Sequence, residues 1–192
     1  TRNTLKLLNY FGIRTRLIAH HQHNEEQSAN GLLELLRQGK NVAVVSDAGY
    51  PLISDPGSVV VKKVMEEGFN VVPISGSNAM LNALVASGMN TRHFLFYGFL
   101  KAQEKERIRE LHELKYYPFT IVFYEAPHRI EKMLKSCLEV LGNRQICLAR
   151  ELTKKHEEFI RGTIEEVLEI VDDIKGEMVV VIEGCSEEKN PG

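Results

Sequence analysis

The chain has 192 residues, 43% hydrophobic and 26% charged, with a formal net charge of −2 and a pI near 6.4. It is long enough for one large globular domain or two small ones. Its charge excludes nucleic-acid binding by bulk positive potential, leaving only local basic patches, and no apolar run approaches the ~20 residues of a membrane span.

The first residues lack the apolar core of a signal peptide. Cys137, Cys147 and Cys185 are an odd number without metal-site spacing, which points to buried thiols in a reducing compartment, hence a cytoplasmic chain. Leu5, Leu8 and Phe11 stand at helical spacing and predict a helix over 2–11. A strand over 14–19, a helix over 25–38 and a strand over 41–46 follow. Then come a helix over 58–67, a strand over 70–74 and a helix over 78–87. Gly39, Gly68 and Gly88 stand where helices stop. This alternation predicts a mostly parallel α/β sheet with covering helices.

A second pattern begins after Phe94–Leu100. Residues 101–116 are charged and helical in period. Strand 119–124 leads into Glu125-Ala126-Pro127-His128-Arg129, and a helix over 128–141 closes on Gly142. Strand 145–149 precedes Arg150–Lys155. A strand over 157–162, a helix over 163–172 and a strand over 177–183 complete the pattern. The expected organisation is a domain over 1–99, a second over 100–185 and a disordered tail over 186–192.

The most informative stretch is Ser46-Asp47-Ala48-Gly49-Tyr50-Pro51-Leu52-Ile53-Ser54-Asp55-Pro56-Gly57. A strand usually passes into a helix within about two to six residues; here the crossing takes 11, over 47–57, with two Gly, two Pro and two Asp. Ligands of open α/β sheets bind in such loops at the carboxyl ends of strands. Asp47 and Asp55 are candidate bases, but Asp beside Gly or Pro more often shapes a turn. Ser75-Gly76-Ser77-Asn78-Ala79, Glu125–Arg129 and Arg150–Lys155 are three further candidate loops. His20, His21 and His23 cluster without zinc spacing. No nucleophile elbow, P-loop or dinucleotide fingerprint is present. The residues alone point to a two-domain α/β protein with a small-molecule site, and they leave the ligand open.

Taken together, Ser46–Gly57, Phe123-Tyr124-Glu125-Ala126-Pro127-His128-Arg129, Ala149-Arg150-Glu151-Leu152-Thr153-Lys154 and Gly176–Gly184 resemble a known family. It comprises the tetrapyrrole-methylase-like S-adenosylmethionine-dependent methyltransferases, in the branch that modifies small-subunit ribosomal RNA. The resemblance implies two α/β domains with the donor cleft between them, a homodimer, and 2′-O-methylation of a cytidine ribose in the RNA or the assembled 30S subunit. It also implies a preceding strand–loop–helix–strand unit of roughly 30 or more residues, whose loop lines the donor site. Two positions depart from the pattern: Tyr50 stands for Thr and Ser75 for Pro.

Carried over position by position, the resemblance assigns donor contacts to Asp47, Gly49, Tyr50, Ile53, Asn78, Ala79, Tyr124, Leu152, Glu177 and Met178. Glu125, Glu151 or Lys154 would accept or stabilise the hydroxyl proton, and Arg150 would pin a phosphate. Interdomain ion pairing is the alternative role for these four. Arg129, Lys132 and Lys135 recur along one helix and, with Lys155, form a candidate RNA patch; a solvated helix face is the alternative. The chemistry requires no metal. Two rival readings are a methylase of this fold acting on a tetrapyrrole or protein side chain, and a non-catalytic nucleotide- or RNA-binding dimer.

Overall fold

The computed structural model describes residues 2–20, 25–171 and 174–186. The chain divides into two compact units, Thr1–Asn78 and Ala79–Gly192. The boundary expected at 99/100 therefore lies at 78/79. The reason is packing: the helix and strand that follow Asn78 bury their apolar faces with the second unit's sheet.

The first unit holds helices α1 (Arg2–Tyr10), α2 (Glu25–Arg37) and α3 (Ser58–Glu66). Ala29, Leu32 and Leu33 of α2 face Val60 and Val64 of α3 and form a small core. α1 is amphipathic but buries no residue. The strands expected over 14–19, 41–46 and 70–74 are not formed among the described residues. Segment 41–46 still alternates, with Val42, Val44 and Ser46 half-buried and Ala43 and Val45 exposed. A β-pattern alone makes no strand: backbone N–H and C=O groups need a partner in register. Without one, Val72 and Ile74 remain 73% and 82% exposed.

The second unit begins with α4 (Ala79–Ala86) and then builds a five-stranded sheet. Its strands are β1 (Phe94–Gly98), β2 (Thr120–Glu125), β3 (Gln145–Arg150), β4 (Glu158–Thr163) and β5 (Met178–Ile182), in the order β1-β2-β5-β3-β4. Only β1 and β2 run parallel; the other three pairings are antiparallel. The mostly parallel sheet expected from the alternation over 2–87 is not formed among the described residues, and the sheet that is formed is mostly antiparallel. Alternation reveals the order of elements but not strand direction, and the short turn from β3 to β4 forces an antiparallel pair.

Period-two burial assigns each strand's side chains. Ile121, Phe123, Ile146, Leu148, Val180 and Ile182 point to one face. There they meet α5 (Glu104–Leu114), α6 (Ile130–Leu141) and α7 (Ile164–Leu168). Val122, Cys147, Ala149, Val179 and Val181 point to the other, against Ala83 and Leu84 of α4. A 3₁₀ turn, Pro127–Arg129, precedes α6, and α7 opens on a capping box of Thr163 and Glu166. Gly184 lies so close to the backbone of Pro118 and Phe119 that a Cβ would collide with it. Ser186 is exposed; the rest of the expected tail, 187–192, lies outside the described residues.

Candidate functional site

In the first unit the loop between segment 41–46 and α3 is shaped by its own side chains. Ser46 Oγ lies 3.2 and 3.0 Å from the carbonyls of Ala48 and Gly49, to which it donates. Gly49 takes φ +71°, Leu52 φ +70° and Ser54 φ +58°. The last two lack glycine's freedom and carry backbone strain, which accumulates at ligand sites. Gly49 also approaches the neighbouring loop: a Cβ there would stand 3.4 Å from the Ser77 carbonyl. Tyr50 Oη accepts a hydrogen bond from Gly76 N–H at 3.2 Å. Tyr50, where the family pattern has Thr, thus ties the two loops together. Asp47 and Ile53 are exposed, and burial together with the charge of Asp47 raises the pKa of Asp55. The first amide of the α3 entry is already taken, since Gly57 N–H donates to Glu25 Oε1 at 3.2 Å. The loop therefore offers strained backbone, a carboxylate and an apolar side chain, not a phosphate cradle. That mixture suits a nucleoside carrying hydroxyls and a cationic tail. Asn78 and Ala79 stand at the unit junction. Of the histidine cluster only His20 is described, with Nδ1 2.5 Å from Ser28 Oγ; His21 and His23 lie outside the described residues.

In the second unit the remaining strained residues fall in the turn after β3. Glu151 has φ +50° and Thr153 φ +67°. Glu151 N–H donates to the Glu177 carbonyl and Glu177 N–H to Glu151 Oε1, both at 3.0 Å. Lys154 Nζ bridges Glu151 Oε1 at 3.1 Å and Glu177 Oε2 at 2.9 Å. The Glu151 side chain lies over Gly176, where a Cβ would overlap it. Arg150 binds Glu158 Oε2 at 2.5 Å and the Lys175 carbonyl at 3.1 Å. Hydrogen bonds to Lys154 and to the Glu177 backbone lower the pKa of Glu151, while those to Glu177 and Glu151 raise that of Lys154. These shifts favour the charged form of both side chains, a carboxylate at Glu151 and an ammonium at Lys154. Lys155 is exposed beside this group.

Glu125 is placed differently from the sequence expectation. It is 3% exposed and ion-paired to Arg129 Nε at 3.1 Å. Oε1 accepts from Ala126 N–H at 2.8 Å, and Oε2 is buried without a partner. Burial raises its pKa, against the backbone bond and the nearby charges of Arg129 and Arg107. Arg107, 4% exposed, donates to Ser136 Oγ at 2.9 Å and to the Ala102 carbonyl at 3.0 Å. Arg129 also reaches the Leu100 carbonyl at 2.7 Å. Glu125 therefore serves an internal ion pair that pins the loop after β1 and is not poised to take a proton from an outside hydroxyl.

Two more assignments change. The Met178 side chain lies in the helix-covered core, leaving only its backbone for a ligand. Arg129 is turned inward, while Lys132, Lys155 and Lys135, the last paired with Glu131 on its own helix, remain the exposed members of the expected basic patch. Tyr124 and Leu152 share the α4 side of the sheet. Sequence reasoning did not single out Arg107, one charge among many in the helical run 101–116, or Phe99 in the stretch 94–100.

Residues 3–168 match the family described as Tetrapyrrole (Corrin/Porphyrin) Methylases. A Bacillus subtilis (strain 168) protein named ribosomal RNA small subunit methyltransferase I is 51% identical over 191 residues, covering 98% of this chain and 65% of that protein. Its namesake in Escherichia coli O157:H7 is 44% identical over 189 residues, covering 96% and 66%. The chain thus spans about two thirds of these relatives' length. A solved diphthine synthase superposes with a TM-score of 0.64 at 12% identity, covering 93% of this chain and 73% of that one. Uroporphyrin-III C-methyltransferase from Thermus thermophilus, complexed with S-adenosylhomocysteine, gives 0.58 at 19%, covering 83% and 73%. At these identities the two structures speak to the fold alone.

Proposed function

The chain belongs to the tetrapyrrole methylase family, and on that premise we propose that it transfers a methyl group from S-adenosylmethionine to the 2′-hydroxyl of a cytidine ribose in small-subunit ribosomal RNA. The observation that carries this reading is the sequence identity of 51% and 44% to proteins named for small-subunit ribosomal RNA methylation, over 98% and 96% of this chain. The donor supplies a methyl group already activated by a sulfonium. The ribose oxygen forms the new bond to that carbon as the carbon–sulfur bond breaks, its electron pair passing to sulfur.

The residues of this chain have to position and neutralise. Asp47, Gly49, Tyr50 and Ile53 hold the donor with the 75–79 loop. Tyr124, Leu152, Glu177 and the Met178 backbone supply the contacts of the second unit. Ionised Glu151 receives the hydroxyl proton, while Lys154, held cationic, stabilises the oxygen as its charge develops. Arg150, half satisfied by Glu158, orients a phosphate, and Lys132 and Lys155 add basic contacts to the RNA. The active assembly is a homodimer, and its substrate is the assembled 30S subunit.

Two measurements test this. Calorimetry should detect S-adenosylmethionine binding, and labelled donor should transfer methyl to small subunits lacking the modification. Binding without transfer to subunits, but with transfer to a tetrapyrrole or protein, would move the acceptor while keeping the family. Lys154→Met should lower kcat by about 10²-fold with little change in donor affinity, and an unchanged kcat would remove Lys154 from the reaction.

A further inference from the structure

β1 does not end as a regular strand. Phe96 pairs with Val122 and Gly98 with Phe123, so one extra residue is inserted in β1. Gly98 takes φ +82°, a conformation that favours glycine. Such a bulge re-aims the side chains after it and is common beside active sites. Here it reverses the alternation. Phe96 faces the α4 side and Tyr97 the opposite core. Regular pleating would send Phe99 with Tyr97; instead its ring meets Tyr124 on the α4 side, with centroids 5.7 Å apart. Tyr124 is itself braced by Phe96 at 5.0 Å. Leu100 returns to the core, 2% exposed, while Phe99 stays 50% exposed.

Two cationic side chains lie next to Phe99 along the fold. Lys101 is exposed two residues on, and Arg129 binds the intervening Leu100 carbonyl. Arg107 and Arg129 are two guanidiniums to the one carboxylate of Glu125; Glu110 receives the Lys101 backbone N–H at 2.8 Å. An exposed lysine beside a half-bare ring disfavours the methyl donor, which is itself net cationic. It favours a nucleotide within a phosphodiester chain, whose base stacks while its phosphate meets the cations. We infer that Phe99 stacks on an RNA base next to the methylation site, with Tyr124 as the buttress that holds its ring, and so fixes which nucleotide reaches the donor.

This rests on the RNA-methylation reading, so the test separates the two. Wild type, Phe99→Ala, Phe99→Leu and Phe99→Trp are compared in three assays: donor calorimetry, methyl transfer to unmodified small subunits, and binding of a labelled cytidine-containing RNA oligonucleotide. Loss of one stacked base is expected to raise KM for subunits and Kd for the oligonucleotide roughly tenfold in both F99A and F99L. F99W should restore them, and donor affinity should stay within about twofold of wild type. If F99L behaves as wild type, the ring only fills apolar space and the inference falls. It falls equally if F99A changes nothing, or if donor affinity drops in the same proportion. Wild type that binds RNA through Phe99 but transfers no methyl would overturn the methylation reading and keep the stacking role. Wild type that binds neither RNA nor subunits would overturn both.

Discussion

Glu125 shows how far a residue's type is from its role. Its motif was visible in the sequence, but the burial that decides its chemistry was not, because that depends on α5, α6 and the loop after β1 closing over it. Its raised pKa has a definite consequence for stability. Between the unfolded and the folded pKa the native chain holds the extra proton, so stability falls as pH rises through that interval. Urea unfolding from about pH 4 to 7 should therefore show wild type losing stability relative to Glu125→Gln as pH rises; a constant difference would rule this out. Glu125→Ala is a different perturbation. It leaves Arg129 and Arg107 without their carboxylate, and should cost about 3 kcal/mol at neutral pH in the same assay. Tyr97, its pKa pushed up to about 12 by burial and by its hydrogen bond to Glu110, stays protonated throughout and does not confuse the measurement.

At the scale of elements, legibility followed periodicity. α2, α3 and α6 were predicted to within about two residues, because each carries an apolar stripe that its neighbour buries. β2, β3, β4 and β5 were also plain, as short apolar or alternating runs bounded by turn residues, whereas β1 was not read as a strand. Partnership was not legible: the β-patterned segments of the first unit have no ladder, and strand direction in the second follows from the connections. Close backbone approaches were also hidden, since a glycine in sequence does not reveal what stands over it. Gly184→Ala would drive a Cβ into the backbone at Pro118, and should destabilise the second unit by about 3 kcal/mol. Gly176→Ala meets only the movable Glu151 side chain, though at φ +96°, and should cost about 1–2 kcal/mol. Denaturant titration checks both. An equal loss at the two sites would mean that backbone and side-chain obstacles are not distinguished as argued.

For the whole molecule, the two units differ in how their backbones are satisfied. Hydrogen exchange followed by mass spectrometry should find β2, β3 and β5 slowest, and segments 41–46 and 70–74 among the fastest. Donor binding should then slow exchange in 47–57; an unaffected loop would argue against its role as a donor wall. The sheet order carries one more consequence. β5 is the last of the five strands in chain order, yet it lies in the middle, hydrogen-bonded to β2 on one side and β3 on the other. Until residue 182 has been made, β1–β2 and β3–β4 are two separate ribbons with bare inner edges. The growing polypeptide must wait for β5 with those edges open, so closure of this sheet depends on protection from self-association until then. Nascent chains arrested before Met178 should be cut readily by protease, and those released past Ile182 should resist.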